Sequence, residues 1–152
     1  MTMETIEPAT PADVPPMADL LAVLFTQEAE LTPDRAKQER ALRLIVASPT
    51  VGTLFVARDG ADVVGMVSLL YSISTAEGGP CGWLEDVVVR PDRRGVGLGT
   101  RLVRHAIDHA RRRGLLRITL LADGVNAGAI RFYRRQGFTV SAMTTLRLDL
   151  TT

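Results

Sequence analysis

Val89-Arg90-Pro91-Asp92-Arg93-Arg94-Gly95-Val96-Gly97-Leu98-Gly99-Thr100 lies between an apolar β-branched run and a long amphipathic pattern, and its reading decides the fold. Upstream, Trp83 to Arg90 contains Val87-Val88-Val89 and predicts a central strand that Pro91 ends. Downstream, Leu98, Leu102, Val103, Ala106, Ile107 and Ala110 fall on one face of a helix from about Gly97 to Arg113, stopped by Gly114. Three glycines at alternate positions let a backbone approach a ligand closely. The free N–H groups of a helix's first turn, with the helix dipole behind them, favour an anion there. Together with Arg94, the turn has the makings of a pyrophosphate cradle.

Spacing narrows the choice of pyrophosphate. A dinucleotide fingerprint starting at Gly95 needs glycine at position 100, where Thr100 stands, and one starting at Gly97 needs it at Leu102. A Walker A loop needs Gly-Lys-Ser/Thr, and the turn has no lysine.

Outward from the turn, further elements appear. Thr2 to Glu7 reads as a first strand ending at Pro8, and Thr10 with Asp13 resembles a capping box ahead of a helix to about Thr26 carrying Val14, Met17, Leu20, Leu21 and Leu24. Thr32-Pro33 opens a second helix over Arg35 to Ala47. Thr53 to Arg58 and Val63 to Ser74, joined at Asp59-Gly60, read as a hairpin. Leu115 to Ala122 reads as a buried strand, Ala127 to Gln136 as a short helix stopped by Gly137, and Phe138 to Leu150 as a final stretch of strand. A helix between two apolar strands implies a crossover onto a parallel pair. The expected class is α/β (α+β): a mixed central sheet of six to seven strands flanked by about four helices, in a single domain over residues 1–152.

Composition excludes several classes. The chain has 152 residues, 46% hydrophobic and 23% charged, with a net charge of +1, which suits an ordinary globular protein and gives no bulk attraction to nucleic acid or an acidic membrane surface. Lys37 is the only lysine, and every other basic side chain is arginine. Cys81 alone can make neither an intrachain disulfide nor a multi-cysteine zinc site. No secretory leader pattern and no apolar run near the ~20 residues of a membrane span is present, so a cytoplasmic location is expected.

The motif Arg-x-x-Gly-x-Gly, present as Arg94 to Gly99, resembles that of the GNAT superfamily of acetyl-CoA-dependent N-acetyltransferases. So do the strand Leu84-Glu85-Asp86-Val87-Val88-Val89 before it and the block Asn126-Ala127-Gly128-Ala129-Ile130-Arg131-Phe132-Tyr133-Arg134-Arg135-Gln136-Gly137-Phe138 after the next strand. These cover about the second half of the chain; the first half agrees in element order. The resemblance implies acetyl transfer from acetyl-CoA to a primary amine of a small molecule or peptide, or a non-catalytic acyl-CoA sensor on the same fold. It implies cofactor contacts from the backbone of Val87, Val88 and Val89 and a cradle of Arg94, Gly95, Val96, Gly97, Leu98, Gly99 and Thr100. It further implies a pantetheine contact from Asn126, which also suits a helix N-cap, and a general acid in Tyr133.

By the same resemblance Glu85 stands where a base is found, although an exposed strand carboxylate is an equal reading; Asp86 is expected on the opposite side of the sheet if no bulge intervenes. Glu28 and Glu30 fall where relatives form the acceptor pocket. Gly78 to Asp86 resembles the same region of glucosamine-phosphate N-acetyltransferases, a local similarity that does not fix the acceptor. A homodimer formed near the C-terminal strands is implied too. His105 and His109, four apart, are expected on the polar side of their helix as surface residues, with no metal.

Overall fold

The computed structural model describes residues 3–28 and 30–151. Its elements are β1 (Thr5–Pro8), α1 (Val14–Gln27), α2 (Arg35–Ala47), β2 (Gly52–Asp59), β3 (Asp62–Ser74), β4 (Gly79–Val89), α3 (Leu98–Arg112), β5 (Ile118–Leu120) and α4 (Ala127–Arg135). The sheet runs in chain order, β1-β2-β3-β4-β5, antiparallel up to β4 and parallel between β4 and β5.

The sheet is sandwiched. On one face Phe55, Ala57, Val64, Val67, Leu69 and Leu84 pack against Leu98, Leu102, Val103, Ala106 and Ala110 of α3. On the other, Leu54, Val56, Met66 and Val88 pack against Val14, Met17, Leu20 and Leu21 of α1 and Leu42 of α2. The period-2 pattern of the strands and the helical stripes of α1 and α3 thus meet as complementary apolar faces, the burial that supplies most of the stabilisation.

One ion pair ties the first helix to the sheet. Asp13, at the start of α1, is buried, accepts from the Thr10 N–H (2.7 Å) and is gripped by both terminal nitrogens of Arg58 on β2 (2.7 and 2.5 Å). Burial opposes ionisation, but the Arg58 guanidinium and the Thr10 N–H outweigh it and hold the Asp13 carboxyl below its ordinary value. Asp13→Ala leaves Arg58 without that partner and is expected to lower the unfolding free energy by about 3 kcal/mol near neutral pH in urea titrations. Because the folded-state value is depressed, the wild-type advantage is present above the ordinary carboxylate value of 3.8 and is lost as pH falls through the folded value.

The sheet differs from the sequence expectation at its far edge. Among the described residues it has five strands rather than six to seven: the last parallel strand is confined to Ile118–Leu120, and the expected final strand, Phe138 to Leu150, pairs with no other described strand. β4 begins earlier than expected, at Gly79. In the first expected strand, Thr2 lies outside the described residues. Among the described residues no helix is long and apolar enough to cross a membrane.

Candidate active site

Two irregularities in neighbouring strands open the site. β4 and β5 pair only through Gly82, Leu84 and the residue between them, against Ile118 to Leu120. From Glu85 to Val89, β4 continues without a described strand alongside that edge, although the Val89 carbonyl accepts from Arg94 Nε. Unpaired strand N–H and C=O groups are what an extended, amide-bearing ligand can bond.

The second irregularity is a bulge. The β3–β4 register runs Ser68↔Glu85 but Met66↔Val88, and Asp86 has φ +51, a left-handed value that aspartate tolerates better than most residues. The facing pattern shows the consequence: Leu84 packs on the α3 side, Val88 on the α1 side, and Val87 and Val89 again on the α3 side. An unbroken strand would put Leu84 and Val88 on one face. The bulge turns Asp86 inward, where it is half-buried and its carboxylate accepts from Ser68 Oγ (3.3 Å), while Glu85 stays exposed. The inward carboxylate is thus Asp86; its expected place on the opposite side held only for a strand without a bulge, and a bulge is present.

Burial, then the charge of Glu85, and also that of Glu28, push the Asp86 carboxyl up to about 6, against the opposing Ser68 hydrogen bond. Tyr133 responds to the same surroundings: burial, then Glu28 and Asp86, push its phenol up to about 12. The end of α1, the β4 bulge and α4 therefore bring Glu28, Asp86 and Tyr133 into one neighbourhood. Tyr133 itself is set edge-on between Phe132 (centroids 5.0 Å) and Phe138 (5.9 Å). Glu30 is not part of this group; it is exposed and pairs with Arg147 (2.7 Å).

Beside these residues a cleft of about 670 Å³ runs along β4 and into the glycine turn, lined among others by Val87, Val88, Val89, Arg94, Thr100 and Phe132. Gly95 and Gly97 sit at φ +82 and +86, and Gly97 caps the N-terminus of α3, so the turn's path depends on residues without a Cβ. A Cβ at either would meet nothing within 4 Å, so the space in front of them is open. Arg94 is exposed and donates from Nε to the Val89 carbonyl (3.0 Å), which holds the guanidinium at the mouth of the turn. Val96 is exposed at the outer side of the loop, whereas Leu98 is buried and anchors α3. Asn126 caps α4, its Oδ1 accepting from the Ala129 N–H (3.0 Å), and its amide nitrogen remains available where the residue borders the cleft. An anion cradle, an open strand edge and a bordering amide fit a pyrophosphate carrying a pantetheine arm.

His105 and His109 depart from expectation. Both are half-buried, their rings edge-on to Phe55 (4.8 and 5.1 Å), and His109 Nε2 meets the Tyr71 hydroxyl (3.1 Å). Burial, then neighbouring arginines, push both imidazoles down. They belong to the packing between α3 and the sheet, on the far side of it from α1. Among the described residues no group of three or more His, Cys, Asp or Glu is placed to hold a metal.

Known proteins share this fold. Over 88 residues the chain is 41% identical to streptothricin acetyltransferase of Streptomyces lavendulae, a match covering 55% of this chain and 41% of that protein. The chain thus spans less than half the length of that curated relative. Among solved structures, the integron cassette protein HFX_CASS3 from the Cole Harbour salt marsh metagenome superposes with a TM-score of 0.83 at 25% identity, covering 97% of this chain and 91% of the other. A predicted acetyltransferase with acetyl-CoA from Clostridium acetobutylicum superposes with a TM-score of 0.76 over 97% of each chain; at 16% identity it speaks to the fold alone. The model of the acetyltransferase (GNAT) family matches residues 15–138, which takes in α1, the bulged strand, the glycine turn and α4, and the chain belongs to that family.

Proposed function

We propose that the protein transfers the acetyl group of acetyl-CoA to a primary amine of a small molecule or peptide, with Asp86 as proton acceptor and Tyr133 as proton donor. The observation that carries this reading is the pairing of an inward carboxyl pushed up to about 6 with a phenol pushed up to about 12 beside an open strand edge. The two groups are tuned for opposite tasks, one ionised and one protonated at neutral pH.

Acetyl-CoA supplies an activated thioester. The turn from Arg94 to Thr100 holds the pyrophosphate through the first N–H groups of α3 and the Arg94 guanidinium, and the backbone of Val87 to Val89 takes up the arm. Asn126 offers its free amide nitrogen to the same arm. An alkylammonium has no lone pair and must shed a proton before it can attack a carbonyl carbon. Asp86, ionised at neutral pH yet more basic than an ordinary carboxylate, accepts that proton directly or through water. Glu28 and Glu85 add negative charge that favours a cationic acceptor. The Tyr133 hydroxyl then donates to the departing sulfur, a role its raised value preserves across the neutral range. Buried and free, Cys81 suits a reducing cytoplasm.

Tyr133→Phe tests the donor. It is expected to lower kcat by about 10²-fold while leaving acetyl-CoA affinity within a few-fold, measured by thiol release and by calorimetric titration. Acetyl-CoA binding without thiol release across a broad panel of amines would instead identify the protein as a sensor.

A further inference from the structure

The turn from Arg94 to Thr100 has little inside it to fix its shape. A Cβ at Gly95 or Gly97 would meet nothing within 4 Å, and Val96 is exposed. Among the described residues, the backbone of residues 94–96 makes no backbone–backbone hydrogen bond. Groups left free in this way suit a ligand, but a glycine-rich segment without internal bonds also has much conformational freedom to lose when that ligand binds. What holds the turn must therefore act at its ends.

Both ends meet one carboxylate. Arg93 and Arg101 are the residues immediately before and after the turn, and each reaches Glu4, just ahead of β1. Arg101 grips it twice, Nη1 donating to Glu4 Oε2 (3.0 Å) and Nη2 to the Glu4 carbonyl (2.5 Å). The other carboxylate oxygen, Oε1, faces Nη1 of Arg93 (3.6 Å), whose Nη2 also pairs with Asp59 Oδ2 at the end of β2 (2.5 Å). The Glu4 side chain is only 15% exposed, so both pairs are poorly screened. Its position is fixed in turn by β1, where Thr5 to Pro8 pair with Arg58 to Phe55 of β2.

We infer that Glu4 is a positioning residue for acetyl-CoA: by bridging Arg93 and Arg101 it closes the ends of the Arg94–Thr100 turn and presets the path on which the turn meets the pyrophosphate. A loop whose ends are already joined has less to lose on binding, so the bridge adds affinity without touching the ligand. This role presupposes that the turn is the pyrophosphate cradle.

Charge and geometry give opposite signs when Glu4 is removed. Glu4→Ala deletes a negative charge beside an anion site and leaves two arginines less neutralised, so charge alone would tighten acetyl-CoA binding. Loss of the bridge weakens it, and affinity is expected to fall by roughly tenfold in calorimetric titration at physiological salt, where the charge gain is screened. Glu4→Gln keeps the shape of the side chain but can accept from only one of the two guanidinium groups. It is expected to lie between, at least about threefold weaker than the wild type, and it carries the test if the alanine variant does not fold. Glu7→Ala removes a carboxylate from the same strand together with its ion pair to Arg58, and is expected to bind as the wild type does. In an Arg101→Ala background the bridge is already open, so adding Glu4→Ala should cost less than about threefold. Glu4 variants that bind as tightly as the wild type or more tightly, a Glu7→Ala loss of the same size, or additive losses with Arg101→Ala would each overturn the inference. Gly97→Glu, titrated alongside, separates the bridge from the cradle. If Gly97→Glu loses affinity while the Glu4 variants keep it, the cradle stands and the bridge falls; if all of them bind as the wild type does, both fall.

Discussion

Asp86→Asn is expected to lower kcat/KM by about 10²- to 10⁴-fold, the range a positioned general base contributes, while acetyl-CoA affinity stays within a few-fold. Asparagine is the replacement of choice because the position is left-handed, where asparagine is as well tolerated as aspartate. The wild-type kcat/KM should rise with pH through about 6 and level off above, and the variant should lack that step. Stability must move the other way. A carboxyl whose folded-state value is raised contributes stability below its ordinary value of 3.8 and loses it as pH rises through about 6. At pH 8 the charged, desolvated carboxylate therefore weakens the fold, and its removal should raise the unfolding free energy by about 2–3 kcal/mol, a gain that vanishes below pH 3.8. A protein made more stable and nearly inactive by one atom's exchange cannot be explained by misfolding. Glu85→Gln separates the neighbours. It removes the second-ranking cause of the Asp86 shift, so the pH step should move down with a loss of only a few-fold on the plateau. The opposite ranking, with Glu85→Gln the damaging change, would transfer the role to Glu85.

The bulge that turns Asp86 inward beside an exposed Glu85 marks the limit of what a single sequence conveys about this site. The Arg94–Thr100 turn, α3 and the block from Asn126 to Phe138 were readable because each is a local pattern: a spacing of glycines, a helical stripe, an N-cap before a short helix. The bulge was not. Leu84-Glu85-Asp86-Val87 is consistent with unbroken alternation, and only the pairing of Ser68 with Glu85 and Met66 with Val88 shows where the count slips. The histidines of α3 pose the same difficulty in another form. Their spacing places them on a flank of the helix, but whether that flank meets water or Phe55 depends on a strand fifty residues earlier.

The far edge of the sheet shows a third case. Alternation in Leu146-Arg147-Leu148-Asp149-Leu150 reads as a strand with one apolar face, and it is silent on which strand will lie alongside. The sequence reading counted the segment into the sheet of its own chain, whereas the segment stands apart from that sheet. Leu115 to Ala122 is apolar nearly throughout, so it gave no signal that pairing with β4 would stop at Leu120. Yet the early stop is what frees the β4 edge from Glu85 to Val89. Under the proposed function the shorter strand is what matters, because a fully paired edge would offer an incoming arm no hydrogen bonds.

Gly97→Glu is expected to weaken acetyl-CoA binding by at least about 100-fold, read by calorimetric titration, through two separable effects. The first is conformational. Gly97 holds φ +86 as the residue that caps α3, and a side chain there costs about 1–2 kcal/mol, so the turn relaxes away from the path that aims the first N–H groups at the pyrophosphate. The second is electrostatic, a carboxylate placed where the helix terminus is meant to receive an anion. Steric conflict within the free protein is not a third, since a Cβ at this position meets nothing within 4 Å. Gly97→Ala carries the conformational effect alone and should cost roughly tenfold in affinity, together with about 1–2 kcal/mol of stability. The remaining loss in Gly97→Glu should shrink as salt is raised, because charge at an exposed turn is screened and backbone strain is not. Gly99→Ala is the internal control for folding. Its φ is not left-handed and its Cβ would rest 3.7 Å from Phe132, an ordinary contact, so its unfolding free energy should match the wild type. If Gly97→Glu bound acetyl-CoA as the wild type does, the turn between β4 and α3 would not be the pyrophosphate cradle, and the reading of the cleft would have to begin from the β4 edge instead.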